Sequence, residues 1–175
     1  MYPFIRMAAD LWLYRKAPPL LPQELHATTH RIWPWDLDMF LELNNGRTLT
    51  LYDIARVVQA KRTGLWGVLK RQRWGMTVAG LSVRFRRRVR VFHQVESRVR
   101  LAAWDHRFFY LDQSMWRKGE CTSQILVRIA VTDANGIVPT QKVLAAMGHD
   151  GPSPEVPDWI RAWIEAEGGR PWPPQ

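Results

Sequence analysis

From Met76 to Val131 apolar and polar residues alternate almost continuously, and this pattern constrains the fold more than any other feature of the chain. The alternation falls into four segments, covering 76–91, 95–103, 109–115 and 121–131. A period of two residues is typical of β-strands that place one face on a core. We therefore expect four consecutive antiparallel strands, with a turn at Asp133 to Gly136 after the last one.

A helix is predicted ahead of these strands, from Gly46 to about Arg62, and Gly64 is expected to end it. Its apolar stripe consists of Leu51, Ile54, Ala55 and Val58. The stretch 25–33 is rich in Thr, His, Ile and Trp and predicts a first strand that Pro34 ends. Because the helix needs a sheet to cover its stripe, the chain is expected to form an α+β layer.

Two further helices are predicted near the end of the chain, over 139–147 and 156–167. The second places Trp159, Ile160, Trp163 and Ile164 on one face, which we expect to dock on the exterior of the domain. A chain of 175 residues suits one domain with a real core. The expected organisation is an N-terminal extension over 1–24, a domain over 25–148 and a C-terminal helical tail over 149–175.

The opening MYPFIRMAADLWLYRK places Ile5, Ala8, Ala9 and Trp12 at helical spacing. Charged residues interrupt it, so it predicts neither a membrane span nor a signal peptide. We expect the helix to pack against the domain, while contact with a membrane surface is the less favoured alternative. Cys121 is the only cysteine, which excludes an internal disulfide and favours a reducing cytoplasm.

Polar residues concentrate where the predicted central helix begins, with Asp36 and Asp38 preceding Asn44 and Asn45. Backbone N–H groups at a helix start are unpaired, so they can stabilise an oxyanion. A nearby carboxylate can activate water or attack a carbonyl directly. The residues alone nevertheless favour a simpler interpretation, in which the acids organise an Asx turn and an Asn caps the helix.

Three stretches of the chain carry a resemblance to a known family: RIWPWDLDMFLELNNGRTLTLYDIAR, with its D-x-D followed by N-N, the strand region from Trp74 to Trp116, and the tail EVPDWIRAWIE. The first two resemble the hotdog-fold acyl-CoA thioesterases of the 4-hydroxybenzoyl-CoA thioesterase-like branch, and the tail resembles its thioesterase-superfamily-member-6-like group. The resemblance covers roughly 29–165. It implies a sheet wrapped around a central helix, with the terminal helices outside, and assembly as a homodimer or homotetramer.

The resemblance also implies roles for individual residues. The second acid of the D-x-D pair is the catalytic carboxylate, which falls on Asp38. The oxyanion donor is a backbone N–H near Asn45 or Gly46, and Asn44 would contact the substrate. The implied activity is hydrolysis of an acyl-CoA thioester, with coenzyme A as part of the substrate and no cofactor or metal. A non-catalytic acyl-binding protein is the alternative.

Leu41 and Glu42 stand where many relatives carry Gly and His. Glu42 could act as a second acid, but a carboxylate near a helix N-terminus is also favourable through the dipole alone. Asp53 is a reserve candidate, although Arg56 three residues later favours an ion pair on the helix surface. His26 and His30 share a strand face without further identifiable ligands, and Cys121 is expected to be a buried structural thiol.

A run of arginines follows one face of the strand predicted over 76–91, and the formal charge of +9 favours an anionic partner. This run allows three interpretations: a solvated strand edge, a nucleic-acid surface, or a clamp for the phosphates of coenzyme A. The resemblance favours the clamp over nucleic acid. The arginines concerned are Arg84, Arg86, Arg87, Arg88 and Arg90.

Overall fold

One antiparallel sheet organises the chain in the computed structural model, which describes residues 2–171 and 173–174. Its strands are β1 (His26–Arg31), β2 (Gly75–Phe85), β3 (Gln94–Trp104), β4 (Phe109–Arg117), β5 (Glu120–Asp133) and β6 (Gly136–Ile137). The order across the sheet is β1-β3-β4-β5-β2, with the short β6 pairing β5. The three middle strands follow one another in the chain, so the sheet grows from a meander and takes β1 and β2 as its outer strands.

In the described part of the chain, five α-helices pack with this sheet: α1 (Phe4–Leu13), α2 (Asn45–Arg62), α3 (Leu65–Gln72), α4 (Thr140–Ala146) and α5 (Asp158–Gly168). The long α2 lies against one face of the sheet, where Leu51, Tyr52 and Ala55 are fully buried in the main core. On the other face Ile160 of α5 packs in a smaller cluster with Ala103, Tyr110 and Leu126. This sheet with an internal helix confirms the predicted α+β architecture, and α5 docks on the exterior as expected.

The strand predicted over 76–91 is wrong at its end, because β2 stops at Phe85. The N–H groups of Arg86 and Arg87 both donate to the carbonyl of Thr122, at 2.8 and 3.0 Å, so the backbone turns out of the ladder. Beyond the turn, Val89 accepts a hydrogen bond from the N–H of Leu43. The arginine run therefore does not form one continuous strand face.

Helix α3 was not predicted, although Leu65, Val68 and Leu69 have helical spacing. Gly64 does end α2 as expected, but it does so as a joint between two helices. Its φ of 81° lies in the left-handed region, which glycine adopts without steric cost. The chain therefore reverses at Gly64 and enters α3 immediately.

Helix α1 forms over the predicted stretch and packs against the domain, but not through the predicted apolar stripe, since Ile5, Ala8, Ala9 and Trp12 are exposed. The side that faces the domain includes Arg6, which bonds Asp36, and the buried Asp10. Across residues 2–171 and 173–174, no helix combines the length and the apolar character needed to cross a membrane.

Candidate active site

Asp36 anchors the connection between β1 and α2. Its carboxylate is almost completely buried and lies 2.8 Å from the guanidinium of Arg6 and 3.3 Å from Nε of Arg47. It also accepts the backbone N–H of Trp33 at 2.9 Å. Two cations and an amide therefore hold this carboxylate in place, and it serves to position the connection rather than to react.

Asp38, two residues later, is half-buried and occupies a tight turn. Its Oδ1 accepts the N–H groups of Phe40 at 2.9 Å and Glu42 at 3.3 Å, so the Asx turn that the residues alone favoured is present. Leu41 closes the turn with a φ of 57°. Among residues 2–171 and 173–174 no group bonds Oδ2, so one oxygen of Asp38 is held by the backbone and the other is open.

The start of α2 provides the amide groups that the sequence predicted. Asn44 is the N-cap, and its Oδ1 accepts the N–H of Arg47 at 3.1 Å. Within the described part of the chain, the N–H groups of Asn45 and Gly46 have no acceptor. A Cβ on Gly46 would lie 3.2 Å from the capping Oδ1 of Asn44, so a larger residue there would crowd the cap. Two free amides at a helix N-terminus can bind a developing negative charge.

A cleft of about 210 Å³ opens beside this helix start. It brings Asn45 together with three of the predicted arginines, Arg86, Arg87 and Arg88. Asp38 does not line the cleft, while Asn44 and Gly46 line a neighbouring shallow pocket with Tyr2 and Trp35. Other residues of the cleft that the sequence did not suggest are Thr48, Phe85, Met115, Thr122 and Ser123. Nothing in the spacing of these residues along the chain marked them as functional.

The arginines of the cleft differ in their partners. Nε of Arg88 lies 3.0 Å from a carboxylate oxygen of Glu42, and Arg87 pairs with Glu120. Over the part of the chain that the structure describes, the guanidinium of Arg86 has no acidic partner. Arg84 lies elsewhere, in a pocket against Trp159 and Trp163 of α5. The predicted group is therefore divided, and Arg86 has the most freely available charge in the cleft.

The side chains of Tyr52 and Cys121 both donate to the carbonyl of Ser123, a residue that lines the cleft. Tyr52 is fully buried and its hydroxyl donates to the carbonyl of Ser123 at 2.9 Å. Burial raises the pKa of Tyr52, so the phenol stays neutral and its role is to fix α2 to β5. Burial also raises the pKa of the Cys121 thiol, which disfavours the thiolate that a nucleophile needs. Cys121 is half-buried rather than fully buried.

The histidines of β1 lie under α1, away from the cleft. His30 is buried, its Nδ1 is 3.6 Å from the carboxylate of Asp10, and burial lowers its pKa to about 4. Burial, followed by the charge of Arg62, lowers the pKa of His26 to about 4 as well. Both rings are therefore neutral at pH 7. In 2–171 and 173–174 no three His, Cys, Asp or Glu side chains are grouped so as to hold a metal ion.

A second, smaller cavity lies at the other end of α2. Its walls are apolar except for Arg56, Gln59 and Thr63, which face it from the helix. Arg56 is the buried member of the predicted pair with Asp53, at 2.8 Å, and also donates to Gln113 at 2.7 Å. This explains Asp53 as a structural residue, since its carboxylate compensates a guanidinium inside the core.

Comparison with known proteins gives one family and one fold. Residues 32–164 match the model of the thioesterase-like superfamily. Protein THEM6 of Xenopus laevis is 30% identical over 141 residues, which are 80% of this chain and 67% of that protein. The chain therefore spans about two thirds of the length of this relative.

Solved structures with similar folds include the probable thioesterase YbaW from Escherichia coli. It has a TM-score of 0.64 at 16% identity and covers 69% of this chain and 97% of its own. The DHNA-CoA thioesterase from Staphylococcus aureus has a TM-score of 0.61 at 14% identity, covering 82% and 91%. These similarities confirm the predicted hotdog fold, in which the sheet wraps around α2.

Proposed function

Because this chain belongs to the thioesterase-like superfamily, we propose that it hydrolyses an acyl-CoA thioester to a free acid and coenzyme A. The observation that carries the proposal is the pair of unpartnered amides, Asn45 and Gly46, at the start of α2. Amides fixed in this way stabilise the oxyanion that forms when a thioester carbonyl is attacked. They need no reorganisation, because the cap on Asn44 already holds the first turn.

Asp38 is the proposed catalytic carboxylate. Its Oδ1 is held by backbone amides, which leaves Oδ2 to take a proton from water. The resulting hydroxide would attack the carbonyl carbon, and the C–S bond would break to release the thiolate of coenzyme A, which takes up the proton held by Asp38. In the other route open to this carboxylate, Oδ2 attacks the carbonyl directly, the C–S bond breaks to release the thiolate, and water then hydrolyses the mixed anhydride.

The arginines of the cleft are the proposed contacts for the phosphates of coenzyme A. Arg86 is the strongest candidate, because it lies in the cleft and has no acidic partner among the described residues. Guanidinium groups bind phosphate oxygens through paired hydrogen bonds. Arg88 would first have to leave Glu42, and Arg87 would have to leave Glu120. The solved Staphylococcus aureus structure of similar fold is named a thioesterase of an acyl-CoA, which supports this substrate class.

Hydrolysis is tested by free-thiol release from acyl-CoAs with short, long and aromatic acyl groups. Asp38→Asn should lower kcat by about 100-fold or more, because the amide cannot accept the proton of water. The variant should unfold at the same temperature as wild type, since an amide oxygen can still accept the two backbone bonds. Asp158→Asn, at a fully exposed acid of α5, is the matched control and should keep full activity. Full turnover by Asp38→Asn would remove Asp38 from the mechanism.

A non-catalytic acyl-binding protein is the second candidate. It is favoured by one observation, the ion pair between Glu42 and Arg88 in the lining of the cleft, since many relatives carry histidine at the position of Glu42. In this case calorimetry would detect acyl-CoA binding to the wild type while no thiol is released from any substrate. Thiol release and calorimetry on one protein preparation therefore distinguish the two candidate functions.

A further inference from the structure

Helix α1 is oriented with its apolar side outward. Phe4 is 64% exposed, Ile5 88%, Trp12 63% and Leu13 63%. These residues recur at helical spacing and form one continuous stripe. An amphipathic helix that served only its own domain would bury this stripe, so the exposed side calls for an apolar partner outside the monomer.

Aromatic residues of the neighbouring connection extend the exposed stripe. A groove of about 730 Å³ separates α1 from Trp33 and Trp35, and its walls are mostly apolar. The two indole rings stack with centroids 5.5 Å apart, and Phe92 meets Trp33 edge-on at 6.1 Å. We call this surface the aromatic face; it consists of Phe4, Ile5, Ala9, Trp12, Leu13, Trp33, Trp35 and Phe92.

Specific polar contacts fix α1 in this orientation. The hydroxyl of Tyr2 donates to Asp53 at 2.8 Å, just before the helix, and the hydroxyl of Tyr14 donates to the carbonyl of Ala27 at 2.9 Å, just after it. Between them Arg6 pairs with the buried Asp36. The stripe is therefore presented by a helix that is held at both ends and in its middle.

The charges near the aromatic face are arranged for an anionic partner. Arg15 lies over the ring of Trp12 at 3.9 Å, and the adjacent Lys16 is exposed. Asp10 and Asp36, beneath α1, are buried, and the partly exposed Asp53 is already paired with Arg56. Anionic headgroups would neutralise Arg15 and Lys16, whereas a second copy of this face would offer only the same cations. Indole rings beside cations are also typical of the boundary between headgroups and acyl chains.

We propose that the aromatic face docks on a bilayer that contains anionic phospholipid, with α1 lying in the plane of the surface. Phe4, Ile5, Trp12 and Leu13 enter the acyl boundary, while Arg15 and Lys16 contact the headgroups. Trp35 and Tyr2 line both the groove and the pocket that holds Asn44 and Gly46. Docking therefore places the start of α2 beside the lipid surface.

The full chain is tested by co-sedimentation with vesicles of phosphatidylcholine alone and of phosphatidylcholine with phosphatidylglycerol. Binding should be strong only on the anionic vesicles and should weaken as salt is raised. Ile5→Glu with Trp12→Glu should lower the vesicle affinity by about tenfold or more, because two charges would enter the acyl boundary. Arg15→Glu with Lys16→Glu should remove the preference for the anionic vesicles.

The matched control is Trp66→Glu, at an exposed tryptophan of α3 outside the aromatic face. It should bind vesicles like the wild type, and all variants should keep the wild-type thermal midpoint because the substituted side chains are exposed. Absence of binding to both vesicles overturns the proposal, as does unchanged binding by Ile5→Glu with Trp12→Glu. If sedimentation instead shows an oligomer that this pair of substitutions dissociates, with no vesicle binding, the face joins two copies and the lipid proposal is wrong.

Discussion

Asp36 and Asp38 show how two identical side chains, two positions apart, come to lie in different surroundings. Asp36 is surrounded by Arg6, Arg47 and the amide of Trp33, whereas Asp38 keeps one free oxygen. The D-x-D pattern and the resemblance selected Asp38, and composition alone would not have separated the two acids. The cations that distinguish them come from α1 and α2, and such long-range partners cannot be read from local spacing.

Arg87 carried a signal that the sequence interpretation missed. In a strand continuing to Val91, Arg87 would share the inward parity of Phe85 and Val89. A charged residue on the buried side of a strand is costly without a partner, so it marks a break in the ladder. The structure has its turn at this position, where Arg86 and Arg87 both bond Thr122. This break also explains why Arg84 and Arg86 are separated.

Arg86 and Arg84 are exposed arginines two residues apart that lie in different pockets, so substituting each one tests where the substrate binds. We expect Arg86→Ala to raise KM for an acyl-CoA roughly tenfold with little change in kcat, because under the proposed function the residue contacts phosphate and not the reacting carbonyl. Arg84→Ala should leave KM unchanged, since Arg84 lies against Trp159 and Trp163. Steady-state kinetics on both variants measure the difference. Equal effects from the two substitutions would mean that general charge, rather than a phosphate contact, attracts the substrate.

Helix α1 was predictable as a helix but not in its orientation. Periodicity identifies an apolar stripe, yet it does not say whether the stripe meets the same domain or another partner. The decisive contacts, Arg6 with Asp36 and Tyr2 with Asp53, join positions 30 and 51 residues apart. By contrast α2 and β3 to β5 were predicted well, because regularly spaced apolar residues from all four elements meet in the main core.

The polar contact between α1 and β1 predicts a dependence of stability on pH. His30 has a folded pKa of about 4, lowered by burial and by Arg6, so its contribution to stability is present above pH 6.5 and is lost as the pH falls toward 4. Between pH 7 and pH 5 this loss is on the order of 2 kcal/mol for one such group. His26 acts in the same direction, through burial and Arg62.

Asp10, which faces His30, acts in the opposite direction. Burial raises its pKa to about 6, so its contribution is present below pH 3.8 and is lost as the pH rises through 6. Two histidines outweigh one acid, and we expect net destabilisation toward pH 5. Urea unfolding at pH 7 and pH 5 should show a smaller difference for His30→Gln than for the wild type. His106→Gln, at an exposed histidine, should reproduce the wild-type difference.

Strand β2 is an edge strand of the sheet, and its outer edge pairs with no other strand of the described chain. Val78, Leu81 and Phe85 of this strand are more than 40% exposed. A long apolar edge strand is a template for pairing with another chain. The resemblance predicted a homodimer or homotetramer, and β2 is the edge at which we expect a second copy to pair in antiparallel fashion.

Leu81→Lys tests this assembly. The new charge should weaken the pairing of two β2 strands, so sedimentation velocity should shift from the mass of a dimer toward that of a monomer of 20.5 kDa. Trp159→Lys, at an exposed residue of α5, should leave the mass unchanged. A wild-type protein that sediments as a monomer at tens of micromolar, or an unchanged mass for Leu81→Lys, would contradict pairing through β2.

The ion pair between Arg6 and Asp36 couples two parts of the molecule that are otherwise described separately. Because Asp36 bonds both Arg6 and the N–H of Trp33, a displacement of α1 would also change the free energy of the connection that carries Asp38. If a ligand that steadies α1 tightens binding at the start of α2, a ligand at α2 must tighten binding at α1 by the same factor, since linkage is reciprocal. Under the two proposals above, occupation of the aromatic face would then be an effector of acyl-CoA binding at the start of α2.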